Sequence, residues 1–227
     1  MPQLLHLDCS AREAGSLTRA LSRQFVEAWV GAHPGTTVRY RDLAAHPVAQ
    51  VDAAWIAAAF DRGSPPGTRH GALAVSDELV DELLASEVIV VGSPVYNFTV
   101  PAVFKAWIDQ VIRVGRTFLP GAFPSRGLAG GRKVVVLSAS MNDYAPPSPH
   151  VALDHFEPYL RTAFGFMGMD DLTVIRCSGG TEADIAASLV RAEERMQELI
   201  GQAVGRYGGT AVGYRLYRPY RPYRYGL

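Results

Sequence analysis

The stretch EVIVVGSPVYNFTVPAVFKAWIDQVIRVGRTF, Glu87 to Phe118, decides how the chain folds. It opens on Val88-Ile89-Val90-Val91, a β-branched run without polar alternation, the pattern of a strand buried on both faces of a parallel sheet. Gly92-Ser93-Pro94 stops that run, and Val95-Tyr96-Asn97-Phe98 follows as a loop carrying two aromatic rings and an amide. Pro101 suits the first turn of a helix. After it, Val103, Phe104, Trp107, Ile108, Val111, Ile112 and Val114 recur at helical spacing, with Lys105, Asp109 and Arg113 on the other side. Strand, loop and packed helix in that order make a unit of an α/β sheet, and such sheets take their ligands beyond the carboxyl ends of the strands.

Tyr96 and Phe98 have an ordinary reading as aromatics capping the edge of a core. Placed on either side of Asn97, between a strand stop and a helix start, they also suit a flat heterocycle. An amide and backbone groups would bond its rim while the rings cover its face.

Toward the amino terminus, Leu4 to Asp8 is a short strand, followed by a hydroxyl-bearing loop, Cys9 to Thr18, that enters a helix through Leu21, Phe25, Ala28 and Trp29. Such a junction gathers unpaired N–H groups, hydroxyls and the positive end of the helix dipole, and so attracts an anion. Ser16 alone reads equally as a helix N-cap; Ser10, Ser16 and Thr18 together point to phosphate. The loop lacks the Gly-Lys-Ser/Thr ending of a P-loop and the Gly-x-Gly-x-x-Gly dinucleotide turn. Arg12 either pairs with the anion or faces solvent.

Residues 36–43 make a second, more alternating strand near a sheet edge. An insertion follows, with an alanine-rich helix from Val51 to Phe60 and a loop by composition at 62–67; its Trp55 and Phe60 either line a pocket or pack the insertion down. A helix over Ala72 to Leu84 leads into the central strand. Beyond Phe118, Lys133 to Leu137 is a fourth strand with a loop after it, Ser138 to Tyr144, on the same side. His150 to Phe166 reads as a helix that Pro158 kinks or breaks, Leu172 to Cys177 as the fifth strand, and Glu182 to Val204 as a long amphipathic helix. Strands alternating with helices predict an α/β doubly wound, five-stranded parallel sheet. Right-handed crossovers and a phosphate loop after the first strand predict the flavodoxin-like order 2-1-3-4-5.

The whole chain of 227 residues fits one domain, residues 1–204, with an Arg/Tyr/Pro-rich basic tail at 205–227 that reads as a loose extension, a strap over a partner subunit, or an RNA- or anion-binding arm. Lys+Arg and Asp+Glu number 22 each, which gives no reason to expect nucleic acid or acidic membrane as a partner. No apolar run approaches the ~20 residues of a membrane span, and Cys9 and Cys177 read as buried free thiols, so the expectation is a cytoplasmic protein.

With these pieces in place, the chain resembles the FMN-dependent NADH azoreductases, flavodoxin-like enzymes that overlap in activity with the NAD(P)H quinone reductases. The resemblance covers roughly Leu4 to Val204 and is most specific in PVYNFTVPAVFKAWIDQVIRVGRTF, then at Ser10 and Ser16-Leu17-Thr18, with lesser matches at Arg41-Asp42-Leu43-Ala44 and Ser76-Asp77-Glu78-Leu79. It implies that Ser10, Ser16, Leu17 and Thr18 hold the FMN phosphate and that Pro94, Val95, Tyr96, Asn97 and Phe98 contact the isoalloxazine and ribityl portions. It also implies a homodimer with its flavin sites at the interface.

After the fourth strand the family carries Ser-Arg-Gly-Gly against the ring, whereas this chain has Ala139-Ser140-Met141-Asn142, from which Ser140 or Asn142 would bond the pyrimidine edge. The expected activity is two-electron, ping-pong transfer from NADH or NADPH to a quinone, azo or nitroaromatic acceptor, with no catalytic side chain and no metal. The alternatives are a tailoring or detoxifying flavoenzyme with its own acceptor, suggested by the altered loop and by Pro120, and a flavodoxin-type electron carrier.

Overall fold

The computed structural model describes residues 2–60, 66–121 and 125–207. Five strands, β1 (Gln3–Asp8), β2 (Thr37–Asp42), β3 (Val88–Pro94), β6 (Lys133–Ser140) and β7 (Asp171–Ser178), form one parallel sheet in the order β2-β1-β3-β6-β7. That is 2-1-3-4-5 of the main sheet, as the alternation of strands and helices predicts. A separate antiparallel pair, β4 (Phe118–Leu119) and β5 (Arg126–Gly127), makes a small hairpin. The helices are α1 (Leu17–Ala32), α2 (Ala53–Phe60), α3 (Pro66–Ala85), α4 (Ala102–Val111), α5 (Glu157–Phe166) and α6 (Glu182–Tyr207).

Alternation along each strand sorts the core into two layers. Leu5, Leu7, Ile89, Val91, Val134 and Val136 face α3, α4 and α5, while Leu4, Val88, Val90, Val135 and Leu137 face α1 and α6. Val88, Ile89, Val90 and Val91 are at most 3% exposed, and each such side chain contributes about 1.5–3 kcal/mol of burial. Gly92 lies on the α1 face, where a Cβ would stand 2.5 Å from Asp8 Oδ1, 2.7 Å from Ser22 Oγ and 2.9 Å from the Thr18 carbonyl oxygen. The first turns of α1 therefore sit directly on the end of β3.

Several elements differ from the sequence reading. Residues 150–156 are not helical apart from a 3-10 turn at Val151–Leu153, and Pro158 does not kink a helix but stands in the first turn of α5, where its missing N–H costs nothing. Asp154 Oδ1 caps that turn by accepting from the N–H groups of Phe156 and Glu157. Helix α3 starts at Pro66, inside the stretch read as loop, and α4 ends at Val111, with Val114 in a bridge to Phe118.

Arg113 does not face solvent. It is 6% exposed, donates to Ser76 Oγ at 2.6 Å, pairs with Asp77 and lies over the Trp55 ring. Trp55 is buried and donates to Gln110 Oε1, so it pins α2 onto α4, whereas Phe60 is 61% exposed. Helix α6 runs three residues past Val204, and the tail at 208–227 lies outside the described residues. Among the described residues no helix is long and apolar enough to cross a membrane.

Candidate functional site

Beyond β1 the chain turns through Ser10 to the amino end of α1. Ser10, Ser16 and Thr18 are 4%, 8% and 1% exposed, and Leu17 is half-buried. Ser16 is the N-cap: its hydroxyl accepts from the Arg19 N–H at 3.4 Å and lies 3.3 Å from Thr18 Oγ1. The N-cap and phosphate readings of Ser16 are thus compatible. Helix geometry leaves the N–H groups of Leu17 and Thr18 without carbonyl partners, and no acidic residue occupies the first turn to offset the dipole. Arg12 is exposed, and its N–H bonds Ser10 Oγ.

Beneath this cradle lies a partly buried charge network that the sequence reading did not find. Arg19 donates to both carboxylate oxygens of Asp42, at 2.6 and 2.8 Å, and to the Ser10 carbonyl at 2.8 Å, tying the loop to the end of β2. Asp8 accepts from Ser22 at 2.8 Å and from the Tyr40 hydroxyl at 3.0 Å. The Arg19 guanidinium holds the Asp42 carboxyl below its usual range, helped by the N–H groups of Ala45 and Ala44. Burial, with Asp8 alongside, pushes the Tyr40 phenol up to about 12, so it remains a proton donor. Burial raises the Cys9 thiol well above its usual value, so it stays protonated and is no nucleophile.

The signal for this network was present in two places. A basic residue in the first turn of a helix opposes the dipole and needs a carboxylate, and an Asp closing an apolar strand needs donors.

One strand over, β3 ends at Pro94 and the chain makes a tight reversal. The N–H of Tyr96 bonds the Thr99 carbonyl at 3.0 Å, the N–H of Thr99 bonds the Tyr96 carbonyl at 3.1 Å, and Asn97 and Phe98 between them have φ of 47° and 74°. A two-residue turn with both φ values positive is the type I′ hairpin turn, which ordinarily carries Asn-Gly. Asn97 tolerates that region; a bulky Phe98 there is strained. Pro94 and Val95 are half-buried, and the Val95 N–H continues the ladder to the Ala139 carbonyl at 2.9 Å. Tyr96 and Phe98 are 40% and 45% exposed, and Phe98 meets the buried Tyr144 edge-on at 6.3 Å.

Beyond β6, Ser140 donates to the Asn142 carbonyl at 2.7 Å within its own loop, Asn142 is exposed, and Met141 is 72% exposed. The residues read from the sequence as flavin contacts therefore lie along the carboxyl ends of β1, β3 and β6, whereas Trp55 and Phe60 stand on α2, away from them in the chain. These strands are consecutive neighbours, so each step across the site is about 5 Å. A small recess lined by Trp29, His33, Thr36 and Glu87 lies at the opposite edge and has room only for a water-sized guest.

The residues present fit FMN. The cradle's donors are hydroxyls and N–H groups, the chemistry of a phosphate site, and the strained turn presents an amide and two part-exposed rings on the next strand.

A family profile described as flavodoxin-like fold matches residues 2–200. An FMN-dependent NADH:quinone oxidoreductase of Nostoc punctiforme is 47% identical over 207 residues, covering 89% of this chain and 100% of the relative. The crystal structure of an azoreductase from Bacillus anthracis superposes with a TM-score of 0.80 at 24% identity, covering 89% of this chain and 100% of that one. A second structure from that organism, an FMN-dependent NADH-azoreductase in complex with FMN, gives a TM-score of 0.78 at 20% identity, covering 88% and 98%.

Proposed function

The chain belongs to the flavodoxin-like family that includes the FMN-dependent NADH:quinone oxidoreductases, and from that premise we propose that it binds FMN and transfers two electrons from NADH or NADPH to a quinone or azo acceptor. The observation that carries this reading is the juxtaposition, on adjacent strands, of a hydroxyl-lined helix terminus and a strained aromatic-amide turn. FMN, when bound, supplies the reversible two-electron chemistry.

In this reading Ser10, Ser16, Leu17 and Thr18 hold the phosphate. The hydroxyls and helix N–H groups answer its charge, because the Arg19 cation nearby is already engaged by Asp42. Pro94, Val95, Tyr96, Asn97 and Phe98 seat the ring and ribityl chain. Asn97 orients the ring by its amide, and the two aromatics exclude water from it. Asn142 and Ser140 line the pyrimidine side; the exposed Asn142 amide is the neutral donor there that favours the charge reduction builds, while the Ser140 hydroxyl, donated to the Asn142 carbonyl, shapes the loop. No side chain is needed as acid, base or nucleophile.

Donor and acceptor would occupy one cleft in turn, which gives ping-pong kinetics. Nitroaromatics belong to the same acceptor chemistry.

We infer a homodimer, since Tyr96, Phe98, Met141, Val151 and Leu153, all 40% exposed or more, offer apolar surface near the site for a second copy to cover. Two free buried thiols support a reducing, cytoplasmic setting. The flavin domain, read from sequence as residues 1–204, takes in all of α6 to Tyr207, and the basic segment after it is an appended tail.

The test is a visible spectrum of the FMN-loaded protein under argon, before and after NADH. The expected result is bleaching of the flavin band by NADH and its recovery on adding a quinone. A flavin band that NADH and NADPH both leave unchanged would overturn the reading.

A further inference from the structure

We propose that Arg176 is a positioning residue for the strained Asn97-Phe98 turn, acting through the backbone of His155. This rests on the reading that the turn seats the flavin ring. Left-handed backbone at two consecutive non-glycine residues is unfavourable, above all at Phe98, and persists only where the surroundings over-determine it. The bonds between Tyr96 and Thr99 close the turn from within. From outside, the His155 N–H donates to the Phe98 carbonyl at 3.2 Å, and the Thr99 hydroxyl donates to the His155 carbonyl at 3.3 Å. The backbone of one residue thus braces the turn on both sides.

His155 belongs to no helix or strand of its own; it lies between the 3-10 turn and α5. Its neighbours are held by a side chain from the sheet. Arg176 on β7 presents Nη2 to Asp154 Oδ2 and to Glu157 Oε2, both at 2.6 Å, and Asp154 Oδ1 accepts from the Phe156 N–H at 3.0 Å. The side chains of Arg176, Asp154 and Glu157 are 15%, 10% and 22% exposed, so this is a shielded pair of charge-assisted bonds rather than a surface contact. Arg176 itself is fixed by its register opposite Ser138. The route runs from the sheet edge through Arg176 to Asp154 and Glu157, then along His155 to Phe98 and Thr99. It keeps the turn formed before any ligand arrives, which removes an ordering cost from binding.

The experiment compares backbone amide exchange in the FMN-free chain for wild type, Arg176→Met, Arg176→Lys and Arg161→Met, followed by FMN titrations of each. Arg161 also contacts Glu157 but does not reach Asp154, so it controls for loss of a surface ion pair on α5. The expected result for Arg176→Met is exchange about tenfold faster at the His155 and Thr99 amides, with Val90 unchanged. FMN should bind about tenfold more weakly, with an altered visible circular dichroism of the bound flavin. Arg176→Lys should recover part of each effect, and Arg161→Met should match wild type. Glu157→Gln, which keeps the Asp154 contact, gives a smaller change of the same sign and serves if Arg176→Met does not fold.

Exchange at His155 and Thr99 within about twofold of wild type, or a rise spread equally over Val90, would overturn the role of Arg176. A wild-type chain that refuses FMN would instead sink the flavin reading, and the amide result would still decide whether Arg176 braces the turn.

Discussion

Phe98 stands where a turn of this geometry ordinarily carries glycine, with φ at 74°. Glycine would relieve the strain and lose the ring. Phe98→Gly is therefore expected to leave the FMN-free chain as stable as wild type or up to about 1 kcal/mol more stable, while weakening FMN binding about tenfold. Urea unfolding of the FMN-free protein and a fluorescence titration check the two halves. A Phe98→Gly chain that unfolds more easily and binds FMN normally would show the residue to be ordinary packing.

Thr18 offers a cleaner probe of the phosphate end than Ser16, because Ser16 also caps α1. Thr18→Val keeps the shape and removes the hydroxyl. FMN affinity should drop about tenfold, as for one hydrogen bond to a charged group, while affinity for riboflavin, which lacks the phosphate, stays the same. Equal losses for both ligands would place the hydroxyl's role elsewhere.

At the level of elements, the site depends on how closely α1 approaches β3. A methyl group at Gly92 would meet the Thr18 carbonyl and two polar side chains well inside contact distance, with helix backbone among them. Gly92→Ala should cost about 3 kcal/mol in urea unfolding and move the cradle off the strand end, weakening FMN as well.

The clamp between α1 and β2 makes a pH-dependent prediction. Asp42 has its carboxyl held below the ordinary value in the folded chain, so its stabilising contribution is present above about pH 4 and is lost as the pH falls through the folded value. Asp42→Asn should be about 2 kcal/mol less stable than wild type at neutral pH, with the gap closing below about pH 4.

The five long strands were legible because each is a run of apolar or alternating residues, and the order followed from crossover handedness. The hairpin of Phe118–Leu119 with Arg126–Gly127 was not, since two-residue strands carry no period. Helical spacing put Arg113 on the polar side of a helix, but α4 ends at Val111, and Trp55 and Ser76, far away in sequence, cover Arg113 beyond its end. The hydroxyls beyond β1 and the aromatic-amide loop beyond β3 could be read from residue type and position. The strain at Phe98 could not, because no glycine marks the turn. The Arg19–Asp42 clamp was legible only as a basic residue in the first turn of α1 that calls for a carboxylate; which carboxylate answers it was not, since the two lie on different elements.

For the molecule as a whole, the doubly wound sheet brings three loops from distant stretches of sequence to one edge, and the exposed apolar side chains there are the feature a second copy would bury. A homodimer that shares its flavin sites binds FMN more weakly once dissociated. Sedimentation velocity and FMN titration over the same dilution series should then show affinity falling as the monomer appears. A chain that stays monomeric at high concentration while binding FMN fully would remove the dimer from the account.

The grip on one FMN by the cradle and the turn is tested most directly by titrating the FMN-free protein with FMN and following flavin fluorescence. Emission should change until one FMN is bound per chain and then stop. An emission that tracks free FMN throughout, with no saturation, would contradict it.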